Sequence, residues 1–171
     1  MNKQKGFTII ELIVVIAIIA VLAVIVLSNV TSYIAKGRDA AAKGNLGTLL
    51  TNGAMFYDEK TTFTNFPPAG AAGAITTIAA GTACGGDPSF NAPCSALTGA
   101  AGTGYAVNYT CGAASSAGAI LCSAAKVEYW CVSITLKDGK TYCVDSTGEK
   151  KTNSTCIALG GTATLPPGTC N

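Results

Sequence analysis

The chain has no histidine, and none of its eight cysteines stands in a Cys-x-x-Cys pair. Zinc and iron–sulfur ligands usually come in such close pairs, so the sequence gives no reason to assign a metal. Without histidine, the commonest general base at neutral pH is missing. No glycine-rich, phosphate-cradling loop precedes a strong helix, and no two carboxylates stand at a spacing suited to acid–base work. An enzyme is therefore not expected, and neither is a cofactor. Charge is scarce too: Asp, Glu, Lys and Arg make up 12% of the chain. Two of the 11 basic residues, Lys3 and Lys5, lie at the extreme amino terminus, which leaves nine against nine acidic ones. No basic field remains to recognise nucleic acid. Glycine and proline are missing between Phe7 and Val30, so nothing there breaks a helix.

What fills that gap is an apolar run, Lys5–Leu27, interrupted by the single carboxylate of Glu11 and preceded by the basic segment Met1–Gly6. A helix from Phe7 to Leu27 is about 32 Å long, enough to cross a hydrocarbon core of about 30 Å. Lys3 and Lys5 hold its start on the cytoplasmic side. A secretory signal peptide shares the basic start and apolar run but needs a small-x-small cleavage site just beyond, and Ser28-Asn29-Val30 is a poor one. A plain anchor has no use for Glu11, because an ionisable group within the membrane is costly and marks function.

The nonamer Lys5-Gly6-Phe7-Thr8-Ile9-Ile10-Glu11-Leu12-Ile13, followed directly by an uncharged apolar helix, closely resembles the processing site of the type IV pilins. The resemblance covers the first 57 or so residues well and the remainder in outline. It implies that a membrane-embedded prepilin peptidase cuts between Gly6 and Phe7 and methylates the new amino terminus at Phe7. It also implies that Glu11 and the Phe7 amine pair between neighbouring subunits during assembly. The partners so implied are further copies of the chain in a helical filament, the prepilin peptidase, the assembly machinery and the inner (cytoplasmic) membrane. The chain would reside in that membrane as a precursor and then in an extracellular pilus serving adhesion, motility or DNA uptake. A type II secretion pseudopilin and a minor or tip adhesin pilin remain as alternatives.

The expected fold class is α+β: a long amino-terminal helix packed on a small antiparallel sheet with disulfide-stapled loops, as in the type IV pilin fold. Residues 1–6 form the leader, 7–57 the helix (apolar over 7–30, amphipathic over 31–57) and 58–171 the head. The helix is about 76 Å long on that reading. Val30, Ile34, Leu46, Leu49, Leu50, Phe56 and Tyr57 recur at helical spacing and mark its buried face. Asp39 and Lys43 stand four apart and are expected to pair on the exposed side. Gly37, Gly44, Gly47 and Gly53 either permit close backbone approach or merely soften the helix. Many pilins place a glycine and a proline inside the apolar half. This chain does not, which leaves Ser28 and Asn29 as the candidates for any bend.

Residues 61–104 read as loop, with a short strand at Ala74–Ala79 and a turn-rich decapeptide between Cys84 and Cys94 suited to a small disulfide-closed loop. The sheet is expected over 105–145, in Tyr105–Cys111, Val127–Leu136 and Thr141–Asp145. Asp138-Gly139 fits a three-residue loop that sets Ile134 opposite Tyr142 and Val132 opposite Val144. Cys131 and Cys143 are then diagonal neighbours, too far apart for an easy disulfide, and are expected to bond elsewhere. Cys84, Cys94, Cys111, Cys122, Cys131, Cys143, Cys156 and Cys170 are all disulfide candidates in an oxidising compartment, and eight cysteines allow 105 connectivities. The resemblance implies a carboxy-terminal disulfide loop in 146–171, with Cys156 as the nearest partner of Cys170. It also makes Asp87, Asp138 and Asp145 candidates for the calcium that related pseudopilins bind, although Asp138 is better explained by its turn.

Overall fold

The structure, a computed structural model, describes residues 6–68, 75–99, 104–112, 122, 127–156 and 169–171. Its elements are α1 (Ile9–Lys60), β1 (Thr76–Ile78), α2 (Pro88–Thr98), β2 (Val107–Gly112), β3 (Tyr129–Thr135), β4 (Thr141–Asp145) and β5 (Lys150–Thr152). The fold is thus a long amino-terminal helix with a small, five-stranded antiparallel sheet and several disulfides. Two compact units divide the chain, residues 1–38 and 39–171.

In the first unit α1 runs without interruption through Ser28 and Asn29, where the Asn29 side chain donates to the Ile25 carbonyl (3.1 Å). Residues 1–5 of the expected leader lie outside the described residues. The helix ends in the second unit, three residues beyond the expected Tyr57. There Thr61 adopts φ 57°, and its N–H closes on the Tyr57 carbonyl (2.7 Å).

In the second unit the strands lie in sequence order, each antiparallel to the next. Val107 pairs with Ile134 and Tyr109 with Val132, and across β4 Val132 meets Val144 and Ile134 meets Tyr142. The apolar side chains therefore share one face, where they join Leu46, Leu49, Phe66, Phe90 and Trp130 in the core. The β3–β4 connection is the expected three-residue loop. Leu136 N–H donates to the Lys140 carbonyl (2.7 Å), Gly139 takes φ 84°, and Asp138 accepts the Lys140 N–H (2.9 Å). Opposite the core, β2, β3 and β4 place Thr110, Cys131, Ser133, Cys143 and Asp145 on the second face, and these are buried as well.

The part of α1 that covers the sheet buries Asp39, Ala42, Leu46, Leu49 and Gly53, spaced three and four apart. This corrects the expected face in two ways. Val30, Ile34 and Tyr57 are exposed. Asp39 is turned inward: its Oδ1 accepts the Tyr105 hydroxyl (2.7 Å) and the Lys137 N–H (2.8 Å), while the Lys43 ammonium lies over the Tyr142 ring. Burial alone would raise the Asp39 pKa. Hydrogen bonds from Lys137, Tyr105 and Asp138, with the charge of Lys43, outweigh it and hold the carboxyl below its ordinary value. The two readings of the helix glycines divide. A Cβ on Gly53 would stand 2.6 Å from Trp130 Cζ2, so glycine is required for close approach, whereas Gly37, Gly44 and Gly47 have open space.

Two elements escaped the sequence reading. Helix α2 occupies what was read as loop, and β5 extends the sheet past residue 145. Asp87 caps α2 by accepting the Ser89 N–H (2.9 Å), and Pro88 follows in the first turn, where a missing N–H costs nothing. Pro93 inside the helix leaves the Ser89 carbonyl without its usual donor. The Asn52 side chain of α1 supplies the replacement at 2.6 Å.

The disulfides are Cys84–Cys94, Cys111–Cys122, Cys131–Cys156 and Cys143–Cys170. The first is the expected small loop, now closed on a helix, and Cys131 and Cys143 do bond to other segments. The implied Cys156–Cys170 closure is overturned. Those two residues pair through their backbones as an isolated antiparallel bridge, while each sulfur bonds to a strand cysteine on the sheet's second face. The intervening residues 157–168 lie outside the described residues.

Candidate functional site: the amino terminus of the long helix

Thr8 and Glu11 define how α1 begins. The Thr8 N–H and hydroxyl both donate to Glu11 Oε2 (2.8 Å each), and the Glu11 N–H returns a bond to Thr8 Oγ1 (3.3 Å). This is a reciprocal capping box, which satisfies donors that the first turn of a helix leaves without partners. It also favours a negative charge at the positive end of the helix dipole. The Thr-x-x-Glu spacing before an apolar run was the available signal, and the sequence reading did not use it. Gly6 and Phe7 precede the helix in non-helical, exposed backbone.

Beyond the cap, large apolar side chains from Phe7 to Leu27 are 46–82% exposed. An 18-residue window of α1 has mean hydropathy 3.4 and none of it buried, and among the described residues this helix alone is long and apolar enough to cross a membrane. At about 25 cal/mol per Å² of apolar surface, water is a poor environment for such a stretch. It demands lipid or other apolar helices. Glu11 thus stands as the one acidic group at the head of an apolar surface.

The three aspartates considered for calcium lie in separate turns and are engaged by main-chain donors. Asp87 caps α2 and Asp138 holds the β3–β4 loop. Asp145 accepts the N–H groups of Thr147 (2.9 Å), Glu149 (3.3 Å) and Cys170 (2.9 Å).

A long amino-terminal helix with a disulfide-stapled, five-stranded antiparallel sheet is consistent with the type IV pilin fold. Residues 1–27 match the family model described as the prokaryotic N-terminal methylation motif, the class III signal peptide of type IV pilins. The motif supports a type IV pilin-like or pseudopilin precursor, and proteins of that kind are typically structural rather than enzymatic. No curated protein and no solved structure matches the chain.

Proposed function

We propose that this chain is the structural subunit of a type IV pilus. Prepilin peptidase cuts it between Gly6 and Phe7 and methylates the Phe7 amine. The mature chain waits in the inner membrane and then polymerises through its apolar helix into a surface filament. The observation that carries this reading is Glu11, a lone carboxylate at the start of an otherwise exposed apolar helix.

In a filament, Glu11 of one subunit meets the Phe7 ammonium of a neighbour. Desolvating both charges costs as much as their attraction returns, so the pair adds little net stability. What it specifies is axial register, because any mis-stagger strands both charges in an apolar core. The capping box prepares the carboxylate for this role. Both Thr8 donors bond Glu11 Oε2 and hold the side chain at the helix start. The apolar helix gains little on passing from lipid into a bundle of similar helices, so extraction needs work from an assembly machine.

The test is electron microscopy of sheared surface filaments, with the intact mass of the filament protein measured alongside. A mature chain beginning at methylated Phe7, and loss of filaments in Glu11→Ala with processing unchanged, are expected. Filaments of normal abundance in Glu11→Ala would overturn the register role. A correctly processed chain that never appears in sheared filaments would place it among pseudopilins.

A further inference from the structure

The second unit carries its charge unevenly between the two ends of β3. Among the described residues, the end at the β3–β4 loop holds Lys43, Lys137 and Lys140. Both carboxylates there accept main-chain donors, Asp39 the Lys137 N–H and Asp138 the Lys140 N–H. Lys43 and Lys137 lie over the Tyr142 and Tyr105 rings, whereas the exposed Lys140 side chain covers no ring. The opposite end, where α1 finishes and β3 begins, holds Asp58, Glu59, Asp87, Glu128 and Glu149. Lys60 pairs with Glu59 and Lys151 with Glu149, and with Lys150 they answer only part of that charge.

At the acidic end the fold builds a cleft of about 310 Å³. The Phe63 N–H donates to the Val127 carbonyl (2.8 Å) and the Glu128 N–H to the Gly112 carbonyl (2.9 Å), which fixes Glu128 and Tyr129 beside the last turns of α1. Tyr57 packs on the buried Phe63 ring, their centroids 4.9 Å apart, and Ser146 and Thr147 join the lining from the turn after β4. Two tyrosine rings and a carboxylate suit a primary ammonium on an apolar stem. The rings attract the cation and cover its methylenes, and the carboxylate takes its charge. We propose that this cleft receives the Lys140 side chain of a second copy of the chain. The contact rests on the filament proposed above and adds to it a junction between heads.

Two features select a second copy over any other amine. The ends carry opposite charge, so heads that meet end to end attract one another. The loop and the cleft also lie too far apart to meet within one chain. Lys140 is bonded to Leu136, and eight residues of strand separate Leu136 from Glu128, about 26 Å at the usual rise. Each copy therefore offers one loop and one cleft to different neighbours. Such a heterologous contact either closes a ring or runs on as an open filament. An exposed lysine–carboxylate pair is weak in isolation. In a filament the packed apolar helices hold neighbouring heads at high effective concentration, where the repeated contact selects their spacing.

The experiment treats sheared filaments with a water-soluble carbodiimide and maps the joined peptides by mass spectrometry. The reagent condenses a carboxylate with an amine in contact with it and leaves as a urea. A Glu128–Lys140 amide is expected, in covalent dimers and longer ladders, since the separation within one chain excludes an intrachain product. Lys140→Glu and Glu128→Lys should each lower filament yield roughly 10-fold, because like charges then face each other, and the combined variant should restore it. The denaturant midpoint should stay at the wild-type value in all three. Filaments that contain the chain but yield no such amide would overturn the contact and leave the filament reading standing. So would coupling of Glu128 to another lysine or another protein, normal assembly of both single variants, or a combined variant no better than either. Absence of the chain from filaments would overturn the filament reading instead. The same reaction on the full chain concentrated in detergent micelles then decides the contact, and no Glu128–Lys140 amide there would overturn it too.

Discussion

The two ends of α1 share one backbone conformation and opposite relations to their surroundings. From Phe7 to Leu27 the helix is apolar all round, and its large side chains lie open. From Asp39 to Lys60 a stripe spaced three and four apart is buried, and Leu46 and Leu49 are wholly inaccessible. A one-sided pattern lets a helix complete a core within its own chain. An all-round pattern has no polar face to give to water, so its burial must come from lipid or from other chains. Stability is therefore written into the second end and, on the proposed function, assembly into the first, and substitutions should separate them.

The largest effect is expected from Trp130→Ala, which removes the side chain that α1 covers at Gly53. The head should lose roughly 3–5 kcal/mol, read as a lowered denaturant midpoint of the disulfide-intact chain by circular dichroism. Ile18→Ala, in the open end, should leave that midpoint unmoved while weakening filaments. A comparable loss of head stability from Ile18→Ala would break the division.

The helix glycines sharpen the comparison within one element. Gly53→Ala drives a methyl into Trp130 and should cost about 1–3 kcal/mol. Gly47→Ala meets open space and should raise stability by up to about 1 kcal/mol. Equal effects of the two by the same unfolding assay would show that the Gly53 contact relaxes freely.

Asp39 carries the pH dependence. Its carboxyl titrates lower in the folded head than in the unfolded chain, so the stabilisation is complete above the ordinary carboxylate range. It is lost as pH falls through the folded value. Asp39→Asn should cost about 1–3 kcal/mol at pH 7 through the mismatched Lys137 and Tyr105 donors. The gap from wild type should narrow below about pH 4, as the ordinary carboxylate value predicts. A gap constant from pH 7 to pH 3 would assign the effect to packing alone.

Local sequence determined a good deal of this protein. The apolar run with its lone Glu11 specified the helix and the processing motif, because both depend on residues a few positions apart. Alternation in Val127–Leu136 and Thr141–Asp145, with Asp138-Gly139 between them, specified the hairpin register, since slipping by one residue would turn the apolar set to the wrong face. Helix α2 was hidden because Pro88 and Pro93 read locally as breakers. Only the fold brings the Asn52 amide to the carbonyl that Pro93 leaves open. Asp39 read as a surface charge for the same reason: Tyr105 and the Lys137 N–H are distant in sequence and meet it only once the β3–β4 loop is docked. Apart from the small Cys84–Cys94 loop, the cysteine pairing was decided in three dimensions. The family resemblance implied Cys156 with Cys170, but sheet register set Cys131 and Cys143 on one buried face beneath them, and a sulfur bonds to the sulfur it meets in space.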